Sequence, residues 1–248
     1  RRKEVPGKIS LTDLPELCIK EFGVDAVELC QMHFLSTDQD YVEQVKDVLD
    51  RLAVKVVNIP VDIGYAAEPD REKRKADFEI VKRWFGIAKY LGSPSIRVNT
   101  GEGAGEEAVR RAIEGYKELV KTAEEMDVKL LIENHGGISG NPDNIIRIIE
   151  EVKSQHLRIC PDFGNFPPEM RYDGLEKLAE YASIVHAKTY EFDERGEETT
   201  IDIKRCVEIL RKKGFDGYYS IEFGGKGDQR EGVKKSLALL RKYLPTRG

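Results

Sequence analysis

Cysteine is scarce and scattered in this chain. Cys18, Cys30, Cys160 and Cys206 are the only four, and none is spaced C-x-x-C, which argues against a zinc ribbon or a disulfide framework. Reduced, mostly buried thiols are expected, and with them a reducing cytoplasm. No apolar run approaches the ~18 residues of a membrane-spanning helix. The charged opening Arg1-Arg2-Lys3-Glu4 lacks the apolar core of a signal peptide. Basic residues do not predominate either. The formal net charge is −5, and the run Arg71-Glu72-Lys73-Arg74-Lys75 mixes signs on a predicted helix surface. Neither nucleic acid nor membrane is therefore an expected partner. No G-x-G-x-x-G follows the first strand. Gly101-Glu102-Gly103-Ala104-Gly105 is glycine-rich without that spacing and reads as a flexible loop after a strand.

With 40% hydrophobic and 34% charged residues in 248, the composition is that of an ordinary soluble globular protein long enough for one α/β barrel. Short apolar segments at 25–30, 54–59, 95–99, 128–133, 157–162, 182–188 and 217–222 read as strands. Amphipathic segments at 11–22, 38–52, 72–91, 106–126, 144–152, 172–181, 202–213 and 229–243 read as helices. Trp84 and Phe85 sit in one of these helices as core residues. Strand and helix alternating through short connections mean parallel strands with crossover helices. A doubly wound sheet also fits this pattern. The regular spacing to the end, and polar residues closing several different strands, favour a closed barrel. The prediction is one α/β domain over residues 1–248, a TIM (β/α)8-type barrel. Its first strand is missing, or degenerate within residues 1–9.

Four predicted strands finish on an ionisable group. Leu131-Ile132 leads to Glu133, Cys160-Pro161 to Asp162, Ile184-Val185 to His186, and Ser220-Ile221 to Glu222. An unpaired buried carboxylate is costly and needs a cation or a donor beside it. Two Glu, one Asp and one His at one barrel mouth make an oxygen-rich set with a single nitrogen. That set suits one divalent ion, Mn²⁺ first, with Mg²⁺, Co²⁺ or Zn²⁺ as alternatives.

The strings Leu131-Ile132-Glu133-Asn134-His135-Gly136, Pro161-Asp162-Phe163-Gly164-Asn165, Val185-His186-Ala187-Lys188 and Ser220-Ile221-Glu222 resemble the xylose isomerase-like TIM-barrel superfamily. Within it they resemble the sugar phosphate isomerase/epimerase group that includes D-tagatose 3-epimerase. The resemblance runs from Leu11 to the end. It implies Glu133, Asp162, His186 and Glu222 as ligands of one metal ion, usually Mn²⁺. It also implies Glu133 and Glu222 as general acid and base, moving a proton at the carbon beside a carbonyl through a metal-stabilised enediolate. A small sugar or sugar phosphate is the implied partner, and a homodimer or homotetramer the implied assembly.

Further candidates for substrate contact are Glu28, His33, Arg97, Asn99, His135 and Lys188. Each lies at a strand end or just beyond one, and each has an alternative as a salt-bridge or surface residue. Arg97 fits a carboxylate or phosphate, or equally Glu133; Asn58 shares its strand-end position. His156 precedes its strand, at the far end of the barrel, and reads as structural. Of the rival functions, an endonuclease IV-like nuclease needs Asp-x-x-His and Asp-x-His, whereas Asp162 is followed by Asn165 and no histidine follows Glu191. A lyase of the inosose or dehydroshikimate dehydratase type shares the metal and the proton abstraction, and stays open. A non-catalytic sugar-binding barrel sits poorly with an intact ligand set.

Overall fold

The structure, a computed structural model, describes residues 8–244. Its main elements in chain order are α1 (Leu14–Leu17), β1 (Ala26–Glu28), α2 (Gln39–Leu52), β2 (Lys55–Val61), α3 (Arg71–Leu91), β3 (Ser95–Val98), α4 (Gly105–Met126) and β4 (Lys129–Glu133). There follow α5 (Pro142–Val152), β5 (Leu157–Cys160), α6 (Arg171–Leu178), β6 (Val185–Thr189), α7 (Ile203–Lys212), β7 (Tyr219–Phe223) and α8 (Gln229–Tyr243). The predicted alternation is present throughout. Helix starts follow from their caps. Asp70 accepts from the amides of Glu72 and Lys73 at 2.9 and 3.1 Å, and Asn141, ahead of Pro142, from Asp143 at 2.9 Å. No helix among the described residues is long and apolar enough to cross a membrane.

Strands β1 to β5 form one parallel sheet in sequence order, and β6 and β7 a parallel pair. Single parallel bridges, Ile159 to Ala182 and Asp162 to His186, carry the wall from β5 to β6. Side chains two apart on a strand share a face. Val57, Leu131, Cys160 and Ile184 thus point inward as a buried apolar layer. Two residues further on, Glu133, Asp162 and His186 form the layer above it. Outward-facing Ile96, Leu130, Ile132 and Ile159 pack under the helices with Phe78, Phe85, Tyr116 and Leu119. Trp84 and Phe85 are core residues, as expected. All four cysteines are free thiols, three of them buried.

Among the described residues β7 does not pair with β1. A cavity of about 740 Å³ lies between them, lined by Leu14, Phe22, Val27, Tyr219, Ile221 and Leu237 among others. Among the described residues the wall therefore has seven staves. The expected missing or degenerate first strand falls mainly on residues 1–7, outside the described residues; Lys8 and Ile9 border the gap and are not in a strand. The outer layer does close across it. The turn Cys18–Phe22 packs on α8, Arg241 donates to the carbonyls of Phe22 and Gly23 at 3.2 Å each, and Arg230 pairs with Glu21 at 2.5 Å.

One close approach fixes the loop beyond β2. The amides of Ala66 and Ala67 donate to the carbonyls of Asn99 and Thr100 at 3.1 and 2.9 Å, laying that loop on the end of β3. Helix α4 passes so near that a Cβ on Gly115 would stand 2.0 Å from the Ala66 carbonyl oxygen. Gly115→Ala is expected to destabilise the fold by about 1–3 kcal/mol through overpacking. A thermal melt beside the wild type checks it, with a fall of roughly 2–4 °C per kcal/mol at this chain length.

Candidate metal and active site

The inward layer brings Glu133, Asp162, His186 and Glu222 together. One donor atom from each lies within 4.8 Å of all the others. The four expected residues do converge, from four different strands: Glu133 closes β4, Asp162 follows β5, His186 is the second residue of β6, and Glu222 is the last but one of β7. Neighbouring groups fix how each one sits.

Asn134, fully buried, ties β4 to the end of β5. Its Oδ1 accepts from the Asp162 amide at 2.7 Å, and its Nδ2 donates to the Asp162 carbonyl at 3.1 Å. The turn after Asp162 folds back on its own side chain, with Oδ1 accepting from the amides of Gly164 and Asn165 at 2.7 and 2.8 Å. A Cβ on Gly164 would lie 3.0 Å from both the Lys188 Cδ and the Tyr190 hydroxyl, so a larger residue there would press on both side chains. Lys188 crosses this opening. Its Nζ lies 3.1 Å from Asp162 Oδ2, 3.1 Å from Glu222 Oε2 and 2.9 Å from the Asn165 amide oxygen.

His186 sits at the centre. Its Nδ1 is 2.9 Å from Glu133 Oε1 and 3.2 Å from Glu222 Oε1, and its Nε2 is 3.1 Å from Glu28 Oε1. Arg97 lies behind Glu133, with Nε 3.0 Å from Glu133 Oε2 and Nη1 2.5 Å from Asp62 Oδ1. Glu133 Oε2 and Asp162 Oδ2 are buried and accept no aligned hydrogen bond, so their contacts with Arg97 and Lys188 are contacts of charge. Glu133 Oε1 and Glu222 Oε1 face His186 Nδ1 with an Asp162 oxygen nearby, and carboxylate oxygens gathered about one imidazole nitrogen are the donor set a divalent ion takes.

The other expected contacts divide. Arg97 meets two carboxylates, those of Glu133 and Asp62. Asn99 donates to Asp62 at 3.2 Å and keeps its own buried Oδ1 without a partner. Glu28 faces His186 and accepts from Asn58 Nδ2 at 2.8 Å. His33 and His135 are exposed, and His33 borders the gap between β7 and β1. His156 is at the far end beside Asp127, 3.2 Å away. Sequence reasoning missed Asp62, which anchors Arg97, and Asn165, which donates to Glu133 Oε1 at 3.2 Å. The only trace of Asp62 in the sequence is an acid placed directly after an apolar strand.

Similar carboxyls acquire different acidities here. Burial pushes Asp162 up, and Glu133 and Glu222 add to this against Lys188, so that it reaches about 6. Burial also pushes Glu133 up, but hydrogen bonding and charge from His186, then Arg97, outweigh it and bring it to about 2. Burial works against a charged His186, yet Cys160, Glu28 and Glu133 hold its pKa well above the usual histidine value. Glu28 ends below the usual range, since His186, Ser220 and Asn58 overcome its burial.

Residues 18–243 match the xylose isomerase-like TIM barrel family, and the chain belongs to it. Among curated proteins, the C-glycoside deglycosidase alpha subunit of Arthrobacter globiformis is 36% identical over 88 residues, 33% of this chain. The match spans only 24% of that subunit. Among solved structures, 3-keto-D-glucoside 4-epimerase from E. coli superposes with a TM-score of 0.78 at 18% identity, covering 97% of each chain. A D-tagatose 3-epimerase-like protein superposes with a TM-score of 0.77 at 24% identity, covering 94% of this chain and 93% of its own. These likenesses establish the TIM-barrel fold.

Without metal, the charge pattern sets a pH dependence. The folded state holds protons on His186 and Asp162 that the unfolded chain releases more easily, so stability rises as pH falls from about 8 to about 5. Below about 4.5 the sign reverses, because Glu133 and Glu28 stabilise only while ionised. Chelator-treated protein is therefore expected to melt highest near pH 5. A melting temperature that climbs steadily to pH 8 contradicts these environments.

Proposed function

We propose that this protein is a divalent-metal-dependent isomerase or epimerase acting on a sugar, by proton transfer at the carbon next to a carbonyl. The observation that carries this reading is the convergence of Glu133, Asp162 and His186, all buried, with the half-buried Glu222. The likeness to sugar epimerases adds to it. Those four side chains would hold the ion, and Mn²⁺ suits their hard, oxygen-rich character. When bound, the ion supplies Lewis-acid stabilisation of negative charge on the substrate oxygens.

The protein's own groups handle the proton. Glu133 and Glu222 reach His186 Nδ1 from different strands, β4 and β7, and so flank one position. One takes the proton from carbon while the other returns a proton to it. Arg97 grips the outer oxygen of Glu133 and turns its inner oxygen to the centre. Lys188 does the same for Glu222 and keeps its charge, since Asp162 and Glu222 overcome its burial and raise its pKa above the usual lysine value. Both cations are thereby engaged by carboxylates, which favours an uncharged sugar over its phosphate ester. Among the described residues there is one such cluster, which argues for a mononuclear centre rather than the trinuclear centre of a nuclease.

The test follows deuterium entering the carbon beside the carbonyl when a panel of free ketoses and their phosphates is incubated in heavy water. Exchange is expected with a free ketose, to stop on chelation and to return with Mn²⁺. Glu222→Gln and Glu133→Gln should each slow it by about 10²–10⁴, the usual scale of a lost acid or base. Exchange that persists in both variants removes the assignment, and loss of water from the sugar instead converts the reading to a lyase. Bound metal should also reverse the pH trend of the melting temperature, since protons compete for its ligands.

A further inference from the structure

His186 is the only nitrogen donor of the cluster, and an imidazole has two nitrogens. Only one can offer a lone pair, and the partner of the other decides which. Nδ1 faces Glu133 and Glu222, whereas Nε2 faces Glu28 alone among carboxylates, 3.1 Å from Oε1 and 3.3 Å from Oε2. Glu28 comes from β1, which carries none of the four clustered residues.

Glu28 is itself held. Asn58 Nδ2 on β2 donates to its Oε2 at 2.8 Å, and the Ser95 hydroxyl on β3 donates to Asn58 Oδ1 at 2.8 Å. Asn58 and Ser95 are almost wholly buried. Because Ser95 occupies the Asn58 oxygen, the Asn58 amide is fixed with its NH₂ toward Glu28. The donors run one way, from β3 through β2 to β1, and end on a carboxylate that accepts from His186. A set of buried groups serving packing alone gains nothing from this direction, and a buried carboxylate is a poor choice for such a role.

We infer that Glu28 is the positioning residue of the metal centre: it accepts a hydrogen bond from the Nε2–H of His186, which keeps the proton on Nε2 and turns the Nδ1 lone pair toward Glu133, Asp162 and Glu222, with Asn58 and Ser95 holding it in place. This rests on the metal-dependent reading given above. Carboxylate–histidine pairs behind a metal fix the ring and its tautomer, and their loss weakens binding.

The experiment titrates Mn²⁺ and Co²⁺ into chelator-stripped wild type, Glu28→Ala, Glu28→Gln and Asn58→Ala by calorimetry, and records the Co²⁺ absorption spectrum of each. Glu28→Ala is expected to lose about 10–100-fold in affinity and to alter the spectrum. Glu28→Gln should lose less than Glu28→Ala, because one amide oxygen at the Oε2 position can still accept from both Asn58 and His186. Asn58→Ala should fall between them. Melts of the metal-free proteins report folding; if Glu28→Ala does not fold, Glu28→Gln against Asn58→Ala decides by the same order. Wild-type affinity and spectrum in Glu28→Ala, or Glu28→Gln no better than Glu28→Ala, overturns the inference alone. A wild type that binds neither ion overturns the metal reading itself.

Discussion

Four carboxylates crowd around one buried imidazole. Glu28, Glu133 and Glu222 all contact the ring of His186, and Asp162 stands beside it. Like charges at such separations repel, and burial raises the cost of each. Much of the surrounding structure answers that cost. Arg97 and Lys188 are aimed at the outer oxygens, Asn165 bridges Glu133 and Lys188, and the Asn134 clip prevents β4 and β5 from sliding apart. The apolar layer of Val57, Leu131, Cys160 and Ile184 seals the floor below. A core of this kind is not the most stable one the barrel could contain, and it is arranged instead to leave negative charge unsatisfied at one point.

That point explains why two similar side chains part company. Glu133 and Asp162 are equally buried, yet one is held strongly acidic and the other close to neutrality. Glu133 shares a hydrogen bond with His186, whereas Asp162 Oδ2 has only the charge of Lys188. Environment, not residue type, assigns the roles.

The sequence made the strands legible because a strand covered on both sides has to be continuously apolar, and an acid or imidazole at its end then stands out. Glu133, Asp162, His186 and Glu222 were all readable in this way. Their partners were harder to read. Arg97 and Glu28 could be placed at strand ends, but which carboxylate or nitrogen each would meet depends on the register between strands, which no single segment encodes. Asp62 was obscured by Pro60, which looks like the end of a strand although β2 runs on to Val61 and pairs there with β3. Asn165 was legible only as part of a turn, since its reach to Glu133 depends on how β5 meets β4.

The staves of the barrel are not equally supported. Those bearing Glu133, Asp162 and His186 are flanked on both sides, and these three side chains are almost wholly buried. Among the described residues strand β7 has a neighbour on one side only; it is half-buried along its whole length and leaves Glu222 39% exposed. Three of the four side chains are thus enclosed, and the fourth, Glu222, stands nearest to solvent. Of the four, Glu222 therefore has the most room to follow the size of an ion or the shape of a sugar.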